Sequence, residues 1–179
     1  DCNLKCFGCN RSCSQVPTKE HLQLSDIDRF IQESIKANKK WRFINVLGGE
    51  PTLHNDFLKI IECLQNYADR YSPKTIIQVV SNGITERSRE LCEIVKNKYK
   101  NIIIDYASFK TSNTVEYFSP FNDAPIDDEN FKEADFTKAC WVTSYCGIGL
   151  NARGYYACSV CGGIDRVLNG NNGAKSFSE

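Results

Sequence analysis

Three short apolar runs constrain this chain most: Phe43-Ile44-Asn45-Val46-Leu47, Thr75-Ile76-Ile77-Gln78-Val79-Val80, and Asn101 to Tyr106. Each is preceded by a segment whose apolar residues recur at helical spacing. Before the first run, Ser25 with Asp28 three residues on reads as a helix start, and Ile27, Phe30, Ile31 and Ile35 form one face, which predicts a helix over 25–38. Asn55 is placed to cap the second helix, with Phe57, Ile60, Ile61, Leu64 and Ala68 inward and Pro73 stopping it. Thr85 starts the third, with Leu91, Ile94 and Val95 inward. The first run, ended by Gly48-Gly49, reads as a strand buried on both faces. Alternating strands and helices predict parallel βαβ units with right-handed crossovers. The expected fold is therefore α/β, a partial (β/α) barrel of the TIM type, with a further strand expected before Asp1.

In such folds chemistry collects on the loops after strand carboxyl ends. Those loops hold Gly48-Gly49-Glu50-Pro51, Ser81-Asn82-Gly83 and Ser108. A strand before Asp1 would bring Cys2-x3-Cys6-x2-Cys9 to the same rim. Three thiolates from one short loop can hold three irons of a four-iron, four-sulfur cluster and leave the fourth open to a small molecule. Zinc bound by Cys2, Cys6, Cys9 and Cys13 is the alternative. Paired glycines let backbone approach a ligand closely, and the neighbouring Glu50 can accept from a cationic amine. In isolation the same stretch is a tight turn, and Asn82-Gly83 is an everyday turn as well.

The ten cysteines fall largely into two groups at the chain's ends, which speaks for metal binding in a reducing cytoplasm and against a disulfide scaffold. The second group, Cys140, Cys146, Cys158 and Cys161, is interleaved with glycines and could close a second four-iron cluster or hold zinc. These features predict a core domain over 1–125 and a small cysteine-rich module with a tail over 126–179. An acidic stretch over 111–139 spans that boundary, read as a solvated connection or a substrate-gating loop, and residues 169–179 are expected to be loosely held unless more chain follows. Cys63 and Cys92 lie on helix faces as small buried hydrophobes. Cys13 lies only four residues beyond Cys9, close to the first group. His21 and His54 have no partner at metal spacing, and Trp41 and Trp141 are expected to pack. The 22 basic and 22 acidic side chains balance, so composition gives no sign of a nucleic-acid or membrane partner. No run of eighteen apolar residues exists, and the absence of any methionine suggests that residues precede Asp1.

Cys2-x3-Cys6-x2-Cys9 resembles the signature of the radical S-adenosylmethionine enzymes, and Gly48-Gly49-Glu50-Pro51 resembles their second hallmark. The resemblance implies a cluster at Cys2, Cys6 and Cys9 whose open iron binds S-adenosylmethionine, with Gly48 to Pro51 meeting the cofactor's amino group. It further implies ribose contacts from Ser81 and Asn82, a carboxylate contact from Ser108, and adenine contact near Phe7 and Gly8. Gly8 departs from the family, which commonly has an aromatic residue there. Cys146, Gly154-Tyr155-Tyr156-Ala157-Cys158 and Cys161 resemble the auxiliary-cluster modules called twitch or SPASM, which implies a second 4Fe–4S cluster, with zinc the alternative. The implied activity is cleavage of S-adenosylmethionine to a 5′-deoxyadenosyl radical that abstracts hydrogen, with electrons from a flavodoxin or ferredoxin. The expected substrate is a ribosomal peptide; a small metabolite such as a sugar or aminoglycoside is the alternative. A zinc-bound interaction module is the reading from another class.

Overall fold

The register of three parallel strands decides which side chains form the core. In the computed structural model, which describes residues 1–6, 9–112, 129, 132–133 and 147–176, β1 (Phe43–Val46), β2 (Ile76–Val79) and β3 (Ile102–Ile104) pair in the order β1-β2-β3. Ile44 lies beside Ile77 and Ile77 beside Ile102, while Val46, Val79 and Ile104 make the next row. These rows meet helices α1 (Leu24–Lys36), α2 (Phe57–Tyr71) and α3 (Glu86–Lys98) in one apolar core. The expected α2 face is buried throughout, from Phe57 to Ala68. Burying an aliphatic side chain such as Ile61 contributes about 2 kcal/mol.

Four expectations about these elements are corrected, the first being that Asp56 and not Asn55 stands at the N-cap of α2. The capping residues of α1 lie earlier than Ser25 and Asp28: the Gln23 N–H donates to Asp26 Oδ2 at 2.9 Å. Asp26 is thereby in the first turn, where a carboxylate also complements the helix dipole. On α3, Ile94 is 46% exposed, and Cys92 takes the inward place with Ser88, Leu91 and Val95, the spacing of one helical face. Finally, β1 is not buried on both sides. Phe43 and Asn45 are exposed, because the helices cover only the Ile44 and Val46 face. The opposite face of the sheet carries the row Asn45, Gln78 and Ile103.

The chain divides into two compact units, Asp1–Asn3 with Glu20–Asn113, and Leu4–Lys19 with Thr114–Glu179. In the second, β4 (Gly149–Asn151) and β5 (Gly154–Tyr156) form an antiparallel hairpin, followed by α4 (Ser159–Val167). The expectation of a loosely held tail fails for residues 169–176. Ala174 and Tyr155 exchange backbone hydrogen bonds of 2.9 and 2.8 Å. Buried Asp165 accepts from the Tyr156 hydroxyl at 2.7 Å and from Asn172 Nδ2 at 2.6 Å. The acidic stretch and Trp141 lie almost wholly outside the described residues. Trp41 packs as expected, stacked on Phe30 and donating through Nε1 to Ser34 Oγ at 3.0 Å.

Candidate active site

At the carboxyl end of the sheet a buried carboxylate ties two loops together. Glu50, 3% exposed, follows Gly48-Gly49 after β1. Its Oε1 accepts from the Thr52 N–H at 3.1 Å, the Thr52 hydroxyl at 2.6 Å and the Ser81 hydroxyl at 2.8 Å. Its Oε2 accepts from the Asn82 N–H at 2.7 Å. Four donors answer the charge, which is what a buried carboxylate requires. The carboxylate therefore serves as a brace between the β1 and β2 loops, and the surface left toward solvent is the loop backbone. The site of Gly48 is exposed, and a Cβ built there meets nothing within 4 Å.

The same loops hold the start of the chain. The Glu50 N–H donates to the Asp1 carbonyl at 2.8 Å. Gly49 allows this approach, since a Cβ there would overlap the Asp1 carbonyl and lie 2.8 Å from the Cys2 Cβ. Asn82 Nδ2 donates to Asn3 Oδ1 at 2.9 Å and lies 3.9 Å from Cys2 Sγ. Gly83, at φ +57°, is covered by the Phe109 ring, 2.5 Å from where a Cβ would stand. Lys110 N–H donates to the Asn82 carbonyl at 2.7 Å and Arg89 Nε to that of Gly83 at 2.6 Å. Thus Cys2, Gly49, Glu50, Ser81 and Asn82 share one rim. Pro51 opens the short 3-10 turn Pro51–Leu53 that presents Thr52.

Other expected residues lie elsewhere. Ser108, in the 3-10 turn after β3, donates to Asp105 Oδ2 at 2.7 Å. Cys6, Cys9 and Cys13 belong to the second unit, each half-buried and free of disulfides; Cys13 Sγ lies 3.8 Å from the Arg11 carbonyl. Phe7, Gly8, Cys140 and Cys146 fall outside the described residues. Cys158 stands at the N-cap position of α4, and its Sγ is 3.4 Å from that of Cys161, whose thiol is pushed up by burial and then by Cys158. Two thiolates on one tetrahedral metal stand about 3.8 Å apart, so the pair is close to that spacing. Among the described residues, no three Cys, His, Asp or Glu side chains are gathered as a metal site.

Buried Cys92, as expected, is a core residue, its thiol pushed up by burial. His54 accepts from the Asp56 N–H through Nδ1 at 3.0 Å, which leaves Nε2–H to donate to the Leu22 carbonyl at 2.8 Å. Two residues of the network were missed from sequence, Thr52 and Ser88, whose oxygens lie 2.8 Å apart. A Thr two places after a loop Glu was the only signal available.

A parallel sheet with a glycine–carboxylate loop and a cysteine at its carboxyl rim defines an α/β enzyme class with its site at the strand ends. The family described as the Radical SAM superfamily matches residues 1–115. The chain belongs to that superfamily. It is 31% identical over 67 residues to a probable GTP 3′,8-cyclase of Thermococcus kodakarensis, covering 37% of this chain and 21% of that protein. Similar proteins of the same description from Pyrococcus horikoshii and Methanococcus aeolicus are 33% and 31% identical over 85 residues. Those matches cover 48% and 46% of this chain and 24% and 26% of the relatives. The chain thus matches about a quarter of the length of these curated relatives. No solved structure matches. Membership implies a 4Fe–4S cluster and S-adenosylmethionine. Among the described residues no helix is long and apolar enough to cross a membrane.

Proposed function

We propose that Cys2, Cys6 and Cys9 hold the cluster, and that Gly48 to Pro51, Ser81 and Asn82 receive S-adenosylmethionine beside it. The donor set fits, being three half-buried thiols outside any disulfide, and the open backbone at Gly48 offers a place for the cofactor's methionine part. When bound, cluster and cofactor supply a 5′-deoxyadenosyl radical that takes hydrogen from a substrate. The chain's own residues do the positioning. Glu50 locks the β1 and β2 loops together, Asn82 fixes the residue after Cys2, and Gly49 admits the chain start. The observation that carries this reading is the 2.8 Å hydrogen bond from the Glu50 N–H to the Asp1 carbonyl, which ties the glycine–carboxylate loop to the residue next to Cys2.

The finer assignments are part of the proposal. Ser108 contacts the cofactor's carboxylate, Phe7 and Gly8 the adenine, and Cys13 donates hydrogen to a substrate radical. Cys140, Cys146, Cys158 and Cys161 hold a second 4Fe–4S cluster, and a flavodoxin or ferredoxin in the cytoplasm supplies electrons. The substrate is a ribosomally made peptide, supported by the hairpin that leads into Cys158 in the form expected of an auxiliary module. A purine nucleotide is the second reading, favoured by the name of the relatives.

Anaerobically prepared full chain should contain iron and sulfide and, once reduced, release 5′-deoxyadenosine from S-adenosylmethionine. Cys6→Ala should stop that release. Colourless protein with stoichiometric zinc would overturn the enzyme reading in favour of a structural module. Consumption of GTP by the reduced enzyme would replace the peptide with the nucleotide.

A further inference from the structure

The other end of the sheet carries a different surface. Composition balances cations against acids across the chain, but the fold sorts them. The segments entering β1, β2 and β3 hold Lys39, Lys40, Arg42, Arg70, Lys74 and Lys100, all exposed. Among the described residues, none of the six is ion-paired with a carboxylate. Asp69 is the one acid within 37–42, 69–75 and 99–101, and it accepts from Gln65 Nε2 at 2.8 Å. The strand order β1-β2-β3 sets these segments side by side, within roughly 10 Å at the usual strand spacing. They are also tied to one another: Lys40 Nζ donates to the Tyr71 carbonyl, Thr75 Oγ1 to that of Trp41 at 2.7 Å, and the Ile76 N–H to that of Arg42 at 3.1 Å.

Helix dipoles draw cations to helix carboxyl ends, which accounts for Arg70. Lys39, Lys40, Arg42, Lys74 and Lys100 lie beyond the helix ends and have no such reason. Aromatic rings are interleaved with them. Lys39 Nζ stands 5.1 Å from the Trp41 ring and Arg42 Cζ 5.3 Å from that of Phe43. Tyr71 and Phe43 are 46% and 41% exposed.

We propose that this face binds single-stranded nucleic acid. Lysines are depleted in protein–protein interfaces, whereas a lysine-rich surface suits a phosphate backbone. Exposed rings beside the cations give bases a stacking platform, the combination that single-strand binders use. The inference goes beyond the catalytic reading and uses none of its residues. Balanced composition hides the patch because the compensating acids lie elsewhere in the sequence.

The test is fluorescence anisotropy of the full chain with a fluorescein-labelled 20-nucleotide oligouridylate across a salt series. Engagement of five phosphates predicts a log–log salt slope of about −3.5. The triple variant Lys39→Gln, Lys40→Gln, Arg42→Gln should flatten the slope by about 2, and Tyr71→Ala should weaken binding roughly fivefold or more. Circular dichroism checks folding, and 5′-deoxyadenosine release should be the same in the triple variant as in the wild type. Absence of binding at low salt overturns the proposal, as does an unchanged slope in a folded triple variant. Polyglutamate binding that equals oligouridylate binding, with Tyr71→Ala silent, also overturns it and assigns the face to an acidic protein. Loss of cofactor cleavage in every form would concern the catalytic reading alone.

Discussion

Asn82 Nδ2 donates to Asn3 Oδ1 at 2.9 Å, so the turn after β2 holds the residue that follows the first cysteine. The Asn82 Oδ1 also accepts from the Ile84 N–H at 3.0 Å, which fixes the amide's orientation. Asn82→Ala removes both bonds. The expected outcome is a loss of about 1–2 kcal/mol in urea unfolding, together with lower iron content after reconstitution. Asn82→Asp keeps the Ile84 bond, loses the Asn3 bond, and should fall between the two.

Glu50→Gln places an amide donor among N–H and O–H donors. At least one buried donor then faces another, and stability should fall by about 2–3 kcal/mol. Ser81→Ala removes one hydroxyl donor to Oε1 and leaves Gly83 N–H without its 3.0 Å acceptor, so it should cost less, about 1 kcal/mol. Denaturant titration of both variants checks the order.

Gly49→Ala and Gly83→Ala separate two kinds of crowding. At Gly49 the added methyl meets the Asp1 carbonyl, which must move, so the chain start should detach and iron content collapse. At Gly83 the obstacle is the Phe109 ring, met at its root and packed on the core, so its displacement adds to the cost of the φ of +57°, about 1–2 kcal/mol, while the hold on Asp1 is untouched. Iron analysis beside thermal unfolding reads the difference.

Asp165 gives a pH dependence. The Tyr156 hydroxyl first, and Asn172 next, hold its carboxyl below the ordinary value of 3.8, while burial followed by the Asp165 bond pushes Tyr156 up to about 12. A depressed carboxyl contributes stability that is present above pH 3.8 and is lost as pH falls through its folded value. Proteolysis at the tail should therefore accelerate below about pH 4 in the wild type. Asp165→Asn should show fast tail cleavage at neutral pH, with little further change on acidification.

The order of strands and helices was legible because periodicity is a local property, and the buried face of α2 followed it residue by residue. Side-chain facing near helix ends was less so: Ile94 reads inward beside Leu91 and Val95, yet α3 docks through Ser88, Leu91, Cys92 and Val95 and leaves Ile94 exposed. The burial of β1 was misread because a run of apolar residues does not say whether one face or two will find a partner. At the site, the glycines and Glu50 were legible as a loop, but their bonding was not. Glu50 and Ser81 are separated by 31 positions, and nothing local says that a carboxylate will spend its lone pairs on a distant hydroxyl. The clasp on the tail was hidden for the same reason, since nothing local marks Asp165 as buried, and Tyr156 and Asn172 converge on it only in the fold.

The hold on Asp1 to Asn3 sets an order of construction. Within the first unit those residues are gripped by the Glu50 N–H, the Gly49 surface and the Asn82 amide. These three features stand side by side only after β1 and β2 have paired. Pairing of β1 with β2 is therefore a condition for seating Asp1 to Asn3, and a substitution that loosens the pair should release that segment as well.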